Sequence, residues 1–200
     1  MGSYLLDAGV FLLDTLVSLY ILAVLLRFLL QLARADFFNP VAQFLVMVTT
    51  PTLKPLRRII PGLWGIDLAA VALLLLLEGL LVFLVGPGGH PMLRLGLVFG
   101  QPPLVAGLIV LTVAELIKTT VYVYLFIIVL RAILSWVSPY PNPNVRPLVQ
   151  MSEPLLRRIR ALLPGAAGLD LSPFVAGLIL VLLLMVPIRM LTDLGILLAR

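Results

Sequence analysis

Four ionisable residues stand inside otherwise apolar stretches of the chain: Asp14, Glu78, Glu115 and Lys118. Charge in hydrocarbon is costly and persists where it pairs or where it lines a polar path. These residue types therefore suit either a clasp between helices or an ion path. Glu115 and Lys118 are three residues apart, neighbours on one helix face. Asp14 and Lys118 each precede an arginine, Arg27 or Arg131, by 13 residues, which sets both roughly 20 Å from that arginine's level on a helix. Glu78, ten residues beyond Leu68, rises roughly 15 Å. The favoured expectation is a clasp in which Lys118 neutralises Glu115 or Asp14, because a four-span chain has little room for a pore.

A second set of charges alternates with aliphatic residues at helical spacing. Lys54, Arg57 and Arg58 interleave with Leu53, Leu56, Ile59 and Ile60; Arg157, Arg158 and Arg160 interleave with Leu155, Leu156, Ile159, Leu162 and Leu163. Such a segment, beginning near Thr50 in the first case, forms a short basic amphipathic helix. It lies at the membrane interface and offers cations to anionic lipid phosphates. Recruitment of a partner or of nucleic acid by the same cations is the sharper alternative. Nucleic acid is the less expected direct ligand, since no aromatic residues interleave for base stacking. Asp67 and Asp170 follow Pro-Gly and Gly turns and open apolar runs, the position of an N-cap; a duplicated cation site is the rival reading. Arg27 and Arg131, near the ends of apolar stretches, are expected to snorkel to headgroups, with contact to carbonyls of the following segment as the alternative.

Much chemistry is excluded. With no Cys and the lone His90 in a Gly-Gly-His-Pro turn, disulfides, iron–sulfur clusters, thiolate catalysis and His-based metal sites are not expected. No Walker A, Gly-x-Ser-x-Gly or His-Glu-x-x-His motif occurs. Neither a cofactor nor an enzymatic activity is expected.

The elements that carry these residues follow from composition. Of 200 residues 62% are hydrophobic and 12% charged, against about 25% charged in soluble domains. The chain reads as an all-α integral membrane protein, because runs this apolar do not alternate as barrel strands do. Four stretches approach the roughly 20 residues that a span requires: about 8–32, 68–85, 104–137 and 171–199. The third exceeds one crossing, so it is expected to tilt or to follow an interfacial turn around Gly107; the fourth should kink at Pro187. The N-terminus lacks a basic region and a cleavage site, so the first span is expected to be retained. Between spans, Lys and Arg number four, one and four, which places both basic loops in the cytoplasm and both termini outside. Net charge +5 fits that bias and contact with anionic lipid.

The loops are copies of one another. At an offset of 103, Asn39-Pro40 falls on Asn142-Pro143, Pro51 on Pro154, Arg57 on Arg160, Pro61-Gly62 on Pro164-Gly165, Gly65 on Gly168 and Asp67 on Asp170, within twelve identities over 30 positions. Upstream the offset is 104, pairing Arg27 with Arg131, Tyr20 with Tyr124 and Asp14 with Lys118. The chain thus divides into residues 1–103, with an amphipathic loop at 39–66, and 104–200, with a loop at 142–169. Each unit is span, basic loop, span. Two crossings per unit make the repeats parallel.

This double signature resembles the YggT family of small bacterial and chloroplast membrane proteins: a membrane helix ending in Arg, then Asn-Pro, Pro, a basic cluster, Pro-Gly and Gly-hydrophobic-Asp. The resemblance covers nearly the whole chain. It implies a double-repeat inner-membrane protein contributing to osmotic stress tolerance through ion homeostasis. It also implies, as the alternative, a membrane scaffold or assembly factor in cell division, nucleoid distribution or haem-protein biogenesis. A homo-oligomer or a membrane-protein partner would suit either role. The second copy departs where Pro55 becomes Arg158 and Arg58 becomes Ala161.

Overall fold

The computed structural model describes residues 2–63, 65–86, 105–137, 146–162 and 170–199. Helix α1 (Gly2–Leu32) is unbroken because no Pro interrupts its Leu-rich run. It closes where Arg34 adopts φ 50° and the Ala35 N–H bonds the Leu30 carbonyl at 2.9 Å, a six-to-one bond typical of helix ends with a left-handed residue.

Helix α2 (Pro40–Ile59) starts at Asn39, whose side chain accepts the Val41 N–H at 2.9 Å, with Pro40 as first residue. The basic helix therefore begins ten residues before the expected Thr50. It runs through Pro51 and Pro55, both exposed, so the carbonyls they leave without an N–H belong to the outward face of the helix. Its buried stripe is Ala42, Leu45, Thr49 and Leu53, the three-and-four spacing of one helix face. Beyond it Leu63 and Ile66 exchange hydrogen bonds of 3.1 and 2.9 Å across Gly65 at φ 84°, a left-handed conformation suited to glycine. That turn delivers Asp67 to the head of α3 (Leu68–Leu84).

Helix α4 (Val105–Val137) contains Gly107 inside its first turns, so the interfacial turn expected there is replaced by continuous helix. A Cβ at Gly107 would stand 2.4 Å from the Ala199 nitrogen; the glycine is present for close helix approach. Helix α5 (Arg146–Leu162) carries the second basic segment. Helix α6 (Ser172–Leu183) passes through a π-helical turn at Leu184–Ile188 into α7 (Arg189–Leu198). Pro187 sits in that turn, where the widened backbone accommodates its missing N–H.

Among the described residues three stretches are long and apolar enough to cross a membrane: Asp7–Leu32, Val105–Leu134 and Ser172–Leu198. The stretch expected at about 68–85 is the apolar 17-residue α3, about 25 Å long at 1.5 Å per residue. One core joins Ile21, Val24 and Leu25 of α1 to Leu53 of α2, Leu73 and Leu74 of α3, and Ile127 of α4. A second joins Val121 and Ile128 of α4 to Leu156 and Ile159 of α5 and to Ala176 and Leu180 of α6. Each amphipathic helix thus lies on the two apolar helices flanking it in sequence. The Gly107–Ala199 approach sets the end of α7 beside the start of α4, so the second unit returns to the end at which it began. Many large apolar side chains stay exposed, among them Leu16, Leu76, Phe126 and Met185, as lipid-facing surfaces do.

Candidate functional site

The repeated residues build a repeated polar clamp. Arg27, only 8% exposed, reaches from α1 into α2, where Nη1 donates to Thr49 Oγ1 at 2.7 Å, Thr50 Oγ1 at 3.1 Å and the Val46 carbonyl at 3.3 Å. Thr49 in turn donates to the Leu45 carbonyl at 2.6 Å, which turns its lone pairs towards the guanidinium. Arg131 reaches from α4 into α5, donating from Nη1 to Ser152 Oγ at 2.8 Å; Ser152 donates to the Leu148 carbonyl at 2.8 Å. Both arginines face the following helix rather than snorkelling outwards. Thr49 and Ser152 stand at the 103 offset but differ in type, so counting identities overlooks them; a search for conserved hydroxyls would have found them.

The second element of the clamp is an ion pair. Arg57 Nε donates to Asp67 Oδ2 at 3.0 Å, with Nη2 in closer contact. Asp67, 6% exposed, also accepts the Ala70 N–H at 3.3 Å. Arg160 Nη2 donates to Asp170 Oδ2 at 2.7 Å, and Asp170 Oδ1 accepts the Ser172 N–H at 3.0 Å. In this copy Leu171 rather than Asp170 holds the cap position. Arg160 and the Ser172 bonds hold the Asp170 carboxyl down at about 2. Glu153 joins the two arginines, accepting from Arg131 Nη2 at 3.0 Å and Arg160 Nη1 at 3.1 Å. Burial pushes its carboxyl up, but these two arginines outweigh it and leave it below its ordinary value.

Arg57 and Arg160, expected as lipid contacts, are thus engaged by aspartates ten residues downstream. Lys54, Arg58, Arg157 and Arg158 are exposed and make no ion pair among the described residues. Asn142 and Pro143 lie outside the described residues.

The intramembrane charges converge only in part. Lys118 pairs with Glu115 on its own helix, while Glu115 Oε1 is buried with no partner. Glu78 of α3 is buried, within electrostatic reach of Glu115, Lys118 and Asp14. Gly79 beside it brings α4 close, since a Cβ there would lie 3.3 Å from Thr112 Oγ1. Asp14 is half-buried on α1 and makes no hydrogen bond among the described residues. Lys118 therefore meets a carboxylate of its own helix rather than bridging the repeats. Among the described residues no group of three His, Asp or Glu is close enough to hold a metal ion.

Comparison with known proteins agrees with the duplicated architecture. The CCB3/YggT family model matches the chain twice, over residues 6–88 and 110–191. An uncharacterised protein of Pseudomonas aeruginosa is 43% identical over 91% of this chain and 89% of its own. A protein of Vibrio alginolyticus described as lying in the proC 3′ region is 40% identical over 82% and 85%, and the uncharacterised YggT of Escherichia coli K12 is 37% identical over 85% and 84%. No solved structure matches. The chain belongs to the CCB3/YggT family.

Proposed function

We propose that this CCB3/YggT-family protein is a non-enzymatic, four-span protein of the bacterial inner membrane, made of two parallel repeats, that contributes to osmotic stress tolerance through ion homeostasis. The observation that carries the ionic role is the imbalance of the intramembrane cluster: Asp14, Glu78 and Glu115 against Lys118 alone, with a Glu115 oxygen unpartnered. Carboxylates in excess of cations within hydrocarbon call for a proton or a small cation as counter-charge. In this reading Lys118 holds Glu115 in place, and Glu78 and Asp14 carry the exchangeable charge. Both basic amphipathic helices lie on the cytoplasmic leaflet, with anionic lipid as their first partner.

Gradient-driven cation or proton flux into sealed vesicles containing the purified protein tests this reading. Wild type should accelerate flux over empty vesicles, and Glu78→Gln should remove most of the gain while the protein remains folded. Absence of flux from correctly inserted protein would refute the ionic role. A scaffold role is the second reading, favoured by Lys54, Arg58, Arg157 and Arg158, exposed and without an ion pair among the described residues, which can dock a membrane-protein partner or a second copy of this chain.

A further inference from the structure

The two repeats place their arginines equivalently but do not give them equivalent acids. In the second copy Arg131 spends Nη1 on Ser152 and Nη2 on Glu153, while Arg160 spends Nη1 on Glu153 and Nη2 on Asp170. One carboxylate bridges two guanidinium groups. The residue 103 positions before Glu153 is Thr50, whose hydroxyl accepts from Arg27 Nη1 and donates to the Val46 carbonyl. Among the described residues Arg27 donates only from Nη1, and Arg57 only from Nε and Nη2. The atoms left over, Arg27 Nη2 and Arg57 Nη1, are the counterparts of the two that hold Glu153.

Charge leads to the same place. Two arginines meet two acids in the second copy; in the first, Arg57 meets Asp67 and Arg27 pairs with no acid among the described residues. A cavity of about 590 Å³ opens there, lined by Arg27, Gln31, Arg57, Gly62, Gly65 and Asp67. Arg27, a buried residue, and the more exposed Arg57 both line it.

We propose that this cavity binds one oxyanion, a phosphate or carboxylate group, which takes between Arg27 and Arg57 the place that the Glu153 carboxylate takes between Arg131 and Arg160. A group with two or more oxygens spans both forks, as arginine pairs require. One negative charge brings the first copy to the balance of the second. The oxyanion comes either from an anionic lipid headgroup or from a soluble phosphate or carboxylate.

The test uses the full chain, delipidated in detergent and titrated with inorganic phosphate by calorimetry. In parallel, protein from phosphatidylglycerol nanodiscs and from phosphatidylcholine nanodiscs is assayed for retained lipid by native mass spectrometry. One anion per wild-type chain is expected. Thr50→Glu supplies the bridging carboxylate internally, so it should weaken binding by about tenfold to a hundredfold, the loss of two charge-assisted hydrogen bonds, and raise thermal stability without added anion. Glu153→Thr should open a second site and double the stoichiometry, which decides the matter even where Thr50→Glu does not fold. Phosphate binding identifies a soluble ligand; retention of one phosphatidylglycerol that phosphate does not replace identifies the headgroup. A wild type that binds neither, or variants that leave affinity and stoichiometry unchanged, would overturn the proposal.

Discussion

An arginine ten residues upstream of an aspartate ties each amphipathic helix to the apolar helix that follows it, and the two copies do this in different surroundings. Asp67 is buried and Asp170 is 46% exposed at its side chain, so equal substitutions have unequal effects. Asp67→Ala loses a cap acceptor and strands Arg57; it should cost about 2–3 kcal/mol of stability, Asp67→Asn less because an acceptor remains, and Asp170→Ala only about 1 kcal/mol. Thermal unfolding in detergent reads all three. The Asp170 carboxyl lies below its unfolded value of 3.8, at about 2. Its contribution is thus fully present above pH 3.8 and disappears as pH falls through about 2. Solvent screening limits that contribution to about 1 kcal/mol. Arg160→Gln should flatten this part of the acid titration, and an unaltered profile would refute the pairing. Inside the membrane, Lys118→Ala leaves Glu115 without its ion-pair partner among the described residues and should lower stability by about 1–3 kcal/mol. Adding Glu115→Gln should restore most of it, since a missing pair costs less than an orphaned charge. Asp14→Asn should restore little, because Lys118 does not reach it.

Helix packing turns on where small residues permit contact. Gly107 faces the Ala199 backbone, and a Cβ at Gly195 would stand 2.7 Å from Leu111 Cγ; neither α4 nor α7 can yield there without the pair separating. Gly107→Val should cost several kcal/mol, whereas Gly177→Ala, which meets nothing within 4 Å, should be neutral or gain about 0.5–1 kcal/mol from better helix propensity. Parallel thermal melts check the contrast. These contacts mark the limit of what pattern reading reveals. Apolar run length located α1, α4 and α6–α7 because lipid-facing helices are apolar on all sides, and the repeat signature located both basic helices. The start of α2 was less accessible: the helix begins ten residues before Thr50 and continues through Pro51 and Pro55 because both face outwards, a tertiary fact. Gly107 read as a turn for the same reason, since the Ala199 backbone that explains it is 92 residues away. The clamp was half legible. Arg27 and Arg131 were visible, and Thr49 and Ser152 stand at the repeat offset, but that each arginine meets its hydroxyl depends on how α2 and α5 pack.

At the scale of the whole molecule the decisive quantity is the parity of membrane crossings, and it rests on α3. Its 17 residues give about 25 Å against a hydrocarbon layer of ~30 Å. A shortfall of that size is met by local thinning or by snorkelling flanks at fractions of a kcal/mol per Å. What favours crossing is packing: α3 lies against both α1 and α4 and buries Leu73, Leu74 and Leu81. Asp67 at its head is tied to Arg57 of the basic helix, so that end belongs to the interface. A crossing would carry the other end, at Val85-Gly86, to the opposite interface. Four crossings put the two termini on one side; three put them on opposite sides. We expect alkaline-phosphatase fusions to be active and cytoplasmic reporters silent at both ends, with the reverse pattern for reporters inserted after Ile60. A periplasmic N-terminus combined with a cytoplasmic Arg200 fusion would show that α3 does not cross. It would also remove the parallel relation between the repeats, because the second copy would then enter the membrane from the other face.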